Sequence, residues 1–279
     1  MATVHEKIQG LLRKKMTGGK GGIRKKLGLI VNPIAGMGGA VGLKGTDGTH
    51  ILEKALSLGA VPRSPLRARE ALAALKGVTY DVGVLTCAGE MGEQESREAG
   101  IPTKVLPIGA GPLTSAEDTR RSALAMEEAG VDLVLFAGGD GTARDIAAVL
   151  GTRVPAVGIP SGVKIHSPVF ARNPTMAGEL AGLFLSGGSV VLEEREVMDI
   201  DEEAFREGSL RARLFGYLLV PCERRFLQGG KSGAGKSGAV ELDGIAREVI
   251  SRMVPGDLYL VGPGTTTAAI MKRLGCEYS

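Results

Sequence analysis

The 279-residue sequence predicts an α/β fold, with an N-terminal domain built on a parallel sheet and a second, strand-rich domain after it. Three observations lead there. Short apolar runs alternate with helical segments from about residue 26 to residue 160, the pattern of consecutive βαβ units. One stretch, Val131 to Leu150 (VDLVLFAGGDGTARDIAAVL), passes from strand through a glycine turn into helix with nothing between them. Beyond Val190 the pattern changes to every-other-residue alternation in Arg195 to Asp201 and again in Leu210 to Val220, which is antiparallel hairpin material.

In chain order, Lys26 to Val31 (KLGLIV) is the first strand, and it runs into the turn Asn32 to Gly39 (NPIAGMGG). No GxGxxG occurs in Gly36 to Gly45, and no helix is expected directly after the turn, which disfavours a dinucleotide-type Rossmann turn. Helices are expected over His50 to Leu58, capped by Asp47, over Arg67 to Leu75 and around Glu93 to Ala99; strands are expected at Asp81 to Leu85 and Pro102 to Leu106. Thr114 with Glu117 and Ser115 with Asp118 form overlapping capping boxes for a helix reaching Ala129. Val131 to Phe136, five apolar residues in six, reads as a buried strand, and Thr142 reads as the N-cap of the helix after it. Val154 to Ile159 is the last parallel strand. In the second domain, a helix is expected at Asp243 to Met253, a strand at Leu258 to Val261 and a helix at Ala268 to Leu274.

Composition narrows the function classes. The 43% apolar content suits a buried core, and the 43 glycines, about twice the usual share of roughly 7%, cluster in turns rather than in a repeat. No apolar run approaches the ~20 residues that span a bilayer, and the N-terminus lacks a signal-peptide core, so a cytoplasmic address is expected. Cys87, Cys222 and Cys276 lack CxxC spacing and suggest neither zinc nor a disulfide framework. The net charge of +3 divides into +7 over residues 1–26, read as a disordered basic tail, and −4 over the rest, which excludes a basic body tracking nucleic acid.

The chemistry concentrates where strands end. Gly138, Gly139 and Gly141 allow a sharp turn and close approach to a ligand, and the N–H groups of the following helix face any anion bound there. Asp140 is the odd residue in such a site: a carboxylate beside phosphate calls for a cation between them or a proton to accept. The plainer alternative is a structural turn capped by Asp140. In an open α/β sheet, Asn32–Gly39, Gly138–Thr142 and Pro160–Ser167 would share one crevice at the carboxyl ends of the strands. There Lys164 is a phosphate ligand or a solvated lysine, and His166 a substrate contact or a structural histidine. Thr46 and Asp47 belong to a polar cluster with Lys44 and Thr49. Asp199 and Asp201 share a strand face, either metal-binding or solvated. Gly230 to Ser237 spells GxxxxGK[ST] but lacks the preceding buried strand and the immediate helix that a P-loop needs, and reads as a lysine-serine loop.

GGDGT at Gly138 to Thr142 resembles the signature of the NAD kinase superfamily, which includes diacylglycerol-type lipid kinases and, more distantly, phosphofructokinases. NPIAGMGGAVGLKGTDG, Asn32 to Gly48, resembles an ATP-NAD kinase-like branch that includes proteins associated with acetoin catabolism; the segments around Thr114, Pro160 to Ser167 and GPGTTT at Gly262 to Thr267 are similar to it too. The resemblance spans Leu27 to Ser279. It implies a nucleotide-binding α/β domain over 27–185 and a strand-rich second domain over 186–279, incomplete relative to the family. It further implies transfer of the γ-phosphoryl of ATP, with Mg²⁺, to the 2′-hydroxyl of NAD, giving NADP. Asp140 would be catalytic, as base or as Mg²⁺ bridge, with Gly138, Gly139, Gly141 and Thr142 as phosphate cradle. Asn32, Gly36, Gly38, Gly39, Lys164 and Ser167 would adjoin the nucleotide, and Thr46, Asp47 and His166 the substrate. A homo-oligomer, and neither nucleic acid nor a membrane span, is expected. The sequence lacks the Asn-Glu dipeptide with which NAD kinases hold NAD. The alternatives are a kinase of another small-molecule or lipid hydroxyl and a non-catalytic nucleotide-binding protein.

Overall fold

The computed structural model describes residues 25–43, 49–76, 82–108, 114–162, 165–200, 212–223, 225–227, 236–262 and 265–276. The chain forms two compact units, Met1–Gly230 and Lys231–Ser279.

The first unit is organised by a parallel sheet of β1 (Lys25–Val31), β2 (Val82–Cys87), β3 (Thr103–Leu106), β4 (Leu133–Gly138) and β5 (Ala156–Pro160), in the order β3-β2-β1-β4-β5. The central strands are apolar without alternation because helices cover both faces; Leu27, Leu29, Ile30, Val31 and Leu133 to Ala137 are fully buried. The β1 strand starts one residue earlier than the sequence suggests, since Asp132 pulls in the last cations of the basic segment. Lys25 Nζ lies 3.1 Å from Asp132 Oδ1, and the Lys26 backbone N–H donates to Oδ2 at 3.0 Å.

Connecting helices in this unit are α1 (Met37–Ala40), α2 (Thr49–Ser57), α3 (Ser64–Lys76), α4 (Glu93–Glu98), α5 (Ala116–Glu128), α6 (Asp140–Leu150) and α7 (Pro174–Leu185). The one-turn α1 follows Gly36 directly, where no helix was expected; Gly36 enters it at φ +78°, a conformation open to glycine. Of the two overlapping capping boxes, Ser115 with Asp118 forms: each side chain takes the other's backbone N–H. The Thr114 hydroxyl is buried without a partner. Thr142 is not an N-cap. Gly139 occupies that position and α6 begins at Asp140.

The sheet order creates the crevice. From β1 the chain moves outward through β2 to β3, then returns across to β4 and continues to β5 on the other side. The carboxyl ends of neighbouring β1 and β4 are therefore the topological switch point, where open α/β sheets bind ligands.

A two-stranded antiparallel sheet, β6 (Val191–Ile200) and β7 (Ala212–Cys222), confirms the hairpin reading and lies within the first unit, packed on α6. A register shift between Val197 and Met198 breaks its ladder. The described part of the second unit contains two helices, α8 (Lys236–Ser251) packing on α9 (Thr265–Leu274), and Ala246 of α8 is buried. Two expectations fail here. The helix begins at Lys236 rather than Asp243, and Leu258 to Val261 is not a strand, with Leu258 and Leu260 over 90% exposed or close to it, at 90% and 96%. Without an adjacent strand to supply ladder hydrogen bonds, β propensity alone forms nothing. Of the two grounds against a P-loop, the missing helix is overturned, since α8 opens at Lys236 itself, while among the described residues β7 ends at Cys222 and Arg225–Phe226 is a turn.

Helices α3 and α7 pack closely, and a Cβ on Gly178 would overlap the Ala71 carbonyl oxygen. Gly178→Ala should therefore destabilise the first unit by about 1–3 kcal/mol, read as a lower urea midpoint with unchanged slope. An unchanged midpoint would show that the two helices slide apart without penalty.

Candidate functional site

The site is built from three segments at the carboxyl ends of β1, β4 and β5. Asn32, directly after β1, donates its backbone N–H to Ala137 O at 3.0 Å, and its Nδ2 donates to Thr142 Oγ1 at 3.0 Å. This side-chain bond crosses the switch point and ties the first loop to the glycine turn. Asn32 Oδ1 is buried with no donor.

Each glycine of the turn has its own reason. A Cβ at Gly138 would strike the Thr142 side chain, so Gly138 is demanded by packing. A Cβ at Gly139 would meet nothing within 4 Å, so this residue faces open space. At Gly141 the nearest groups would be Asp199 Oδ2 at 3.8 Å and Arg144 Nη2 at 3.9 Å. The N–H groups of Asp140, Gly141 and Thr142 open a helix of eleven residues and have no intrahelical acceptor, the first internal bond of the turn being Ala143 N–H to Gly139 O. They are the N–H groups that the sequence reading expects to face an anion, the cradle of that reading. Thr142 contributes its N–H, while its hydroxyl serves Asn32 and its methyl packs on Gly138.

Asp140 is 8% exposed and its carboxylate is engaged by the loop after β5. Its Oδ2 accepts the His166 backbone N–H at 2.8 Å and lies 3.1 Å from the His166 ring Nδ1, and its Oδ1 accepts the Ser167 backbone N–H at 3.0 Å. Asp140 thus folds the loop after β5 onto the start of α6. Ser167 is buried and its hydroxyl is committed elsewhere, donating to Met198 O at 2.8 Å and accepting the Met198 N–H at 3.0 Å, so it fastens β6 at the register shift.

Gly36 also serves packing: a Cβ there would strike the Ser161 carbonyl oxygen, so the first and third loops touch backbone to backbone. Gly38 is buried and Gly39 half-buried, both within the short α1. Thr46, Asp47, Lys164 and Asp201 lie outside the described residues.

The structure adds residues that sequence reasoning passed over. Arg144, four residues after Asp140 on α6, pairs with Asp199 at 2.8 Å, which accounts for Asp199 as an ion-pair partner rather than a solvated face. The guanidinium carbons of Arg144 and Arg213 each lie 5.5 Å from the centre of the Phe215 ring. Arg67 donates to Pro160 O at 2.8 Å, at the end of β5. Its helix opens at Ser64, whose hydroxyl donates to Ala35 O at 3.4 Å, so α3 braces two of the three loops. Only the i,i+4 spacing of Asp140 and Arg144 was visible in the sequence.

The donor set does not fit a protein-held Mg²⁺. Among the described residues no group of three or more His, Cys, Asp or Glu is arranged to hold a metal, and both Asp140 oxygens already face N–H groups. Mg²⁺ keeps much of its water and is commonly carried by substrate phosphates.

Cys87 and Cys222 are buried free thiols, and Cys276 is exposed. Burial pushes the Cys222 thiol up to about 11 against the opposing pull of Arg195, and burial raises Cys87 as well. Neither lies on the three loops.

Deleting the Asp140 carboxylate leaves two main-chain N–H groups without their acceptor. Asp140→Ala should therefore lower the stability of the first unit by about 2–4 kcal/mol, measured by urea denaturation. Loss of less than about 0.5 kcal/mol would mean that water replaces the carboxylate freely.

A sequence profile of the ATP-NAD kinase N-terminal domain matches residues 27–188. Acetoin catabolism protein X of Cupriavidus necator is 32% identical over 101 residues, covering 36% of this chain and 27% of that protein. A diacylglycerol kinase structure from Bacillus anthracis str. Sterne aligns over 64% of this chain and 48% of its own, at 16% identity and a TM-score of 0.33. This chain thus spans about a quarter of the length of the first and about half of the second. With the profile covering more than half of the sequence, including all three loops of the crevice, this chain belongs to the ATP-NAD kinase family.

Proposed function

We propose that the chain transfers the γ-phosphoryl group of ATP to the 2′-hydroxyl of NAD, forming NADP and ADP. The observation that carries this reading is the anion cradle of α6 at the β1–β4 switch point, joined across the crevice by the Asn32–Thr142 hydrogen bond. Three helix N–H groups and the positive end of the helix dipole suit a polyphosphate. Open space in front of Gly139 lets its oxygens approach the backbone. Family membership supports a nucleotide substrate, and the choice of NAD as acceptor follows the family resemblance of the loops. Mg²⁺ carried by the nucleotide phosphates would supply charge neutralisation. Asn32 and Gly138 to Thr142 bind and orient the donor, and Asp140 holds the third loop, with His166, beside it.

The test is NADP and ADP formation by the purified chain from NAD, ATP and Mg²⁺, beside Gly139→Asp. The variant places a second carboxylate at the open face of the cradle and should reduce ATP affinity at least tenfold, since a like charge at close range costs over a kilocalorie per mole even when partly screened. Phosphorylation of a different hydroxyl with no NADP would move the protein to the small-molecule or lipid kinase alternative. ATP binding with neither ADP nor NADP produced would establish a non-catalytic nucleotide-binding chain.

A further inference from the structure

Arg144 stands one turn into α6. Side chains on a helix lean toward its N-terminus and meet the residue three positions earlier, which here is Gly141 in the opening turn. The guanidinium follows that rule. A Cβ at Gly141 would have Arg144 Nη2 at 3.9 Å and Asp199 Oδ2 at 3.8 Å, so Nη2 lies beside the turn whose N–H groups have no intrahelical acceptor. Asp199 takes the other terminal nitrogen, Nη1, at 2.8 Å. Nη2 has no partner among the described residues, and the Arg144 side chain keeps 30% of its surface in solvent.

The hairpin fixes this nitrogen in place. Besides the Asp199 bond from β6, the Phe215 ring centre lies 5.5 Å from the guanidinium carbon. Phe215 is the extra residue of β7 at the register shift, since Leu214 pairs with Met198 and Gly216 with Val197. A Cβ at Gly216 would meet Ala147 of α6 at 4.0 Å, so the bulge stands against the helix that carries Arg144. The Arg144–Asp199 pair has little net charge at a distance. At contact range, though, Nη2 presents charge-assisted N–H groups next to backbone donors, and phosphate oxygens are the acceptors such a set matches best.

We propose that Arg144 is a phosphate ligand at the rim of the cradle, its Nη2 donating to the same anion that the opening N–H groups of α6 hold, with Asp199 and Phe215 as the positioning residues that present it. The assignment rests on the cradle reading above and names the ligand class the rim selects, a polyphosphate chain.

The experiment measures the Kd of ATP and of inorganic tripolyphosphate by titration calorimetry, with the urea midpoint of each protein. The proteins are the wild-type chain, Arg144→Gln, Arg144→Lys and Asp199→Asn, with Arg252→Gln, an exposed arginine just after α8, as control. Arg144→Gln should weaken both ligands by about 10- to 100-fold, the worth of a hydrogen bond to a charged group, and Arg144→Lys should recover part of the loss. Asp199→Asn keeps an oxygen for Nη1 while removing a negative charge, so it should hold or tighten binding. An ion pair that only clamps the hairpin predicts equal losses of midpoint and equal changes of affinity in Arg144→Gln and Asp199→Asn. That result, or wild-type affinity in Arg144→Gln, overturns the assignment while leaving ATP binding and the kinase reading intact. Weaker ATP binding with unchanged tripolyphosphate binding puts Arg144 at the nucleoside and overturns it too. A wild-type chain that binds neither ligand overturns the cradle reading and the assignment together.

Discussion

Two main-chain N–H groups, those of His166 and Ser167, leave the last parallel strand with no ladder to join, and the Asp140 carboxylate takes both. Buried backbone donors must find acceptors, and this one acceptor decides where the third loop lies. The consequence travels outward. Once Ser167 is placed, its hydroxyl grips both polar groups of Met198, at the point where the β6–β7 ladder shifts register. Arg144, one turn further along the same helix, closes on Asp199 beside it. The second sheet is thus hung on the first through the opening turn of α6.

The parallel half of the fold was legible because its physics is local and repetitive. Runs such as Leu27 to Val31 and Leu133 to Ala137 are apolar on consecutive residues, which only a strand covered on both faces tolerates. The Ser115–Asp118 box was readable for the same reason, since donor and acceptor lie three residues apart. Thr142 shows how a sound local rule is overridden. Threonine after glycines suggests a cap, but Asn32 claims the hydroxyl from 110 positions away, and the helix starts two residues earlier.

The interior of the site was less legible. The sequence reads Gly36 and Gly138 as facing a ligand; in the fold, packing by itself already demands both, one against the Ser161 carbonyl and the other against the Thr142 side chain. Gly139, beside them, is the one that opens on space. Sequence records that a residue lacks a side chain without recording which neighbour requires the lack. Likewise the partners of Asp140 are mainly backbone groups, which every residue but proline carries, so no residue type announces them. The ion pair of Arg144 with Asp199 joins positions 55 apart and becomes visible only when the hairpin is folded back.

An acidic residue opens the helix that the sequence reads as an anion site, and the fold gives its carboxylate donors of its own. From the sequence, Asp140 should repel phosphate unless metal or proton intervenes. In the folded chain its charge is directed at two backbone N–H groups and an imidazole, while its own N–H and those of Gly141 and Thr142 stay with the cradle. The nearest full charges at Gly141, Arg144 and Asp199, cancel as a pair. What remains at the glycine turn is the helix terminus, equivalent to roughly half a positive charge. A carboxylate can sit at the first position of a helix whose opening N–H groups are free so long as the fold supplies it with donors of its own, and here the loop after β5 does so.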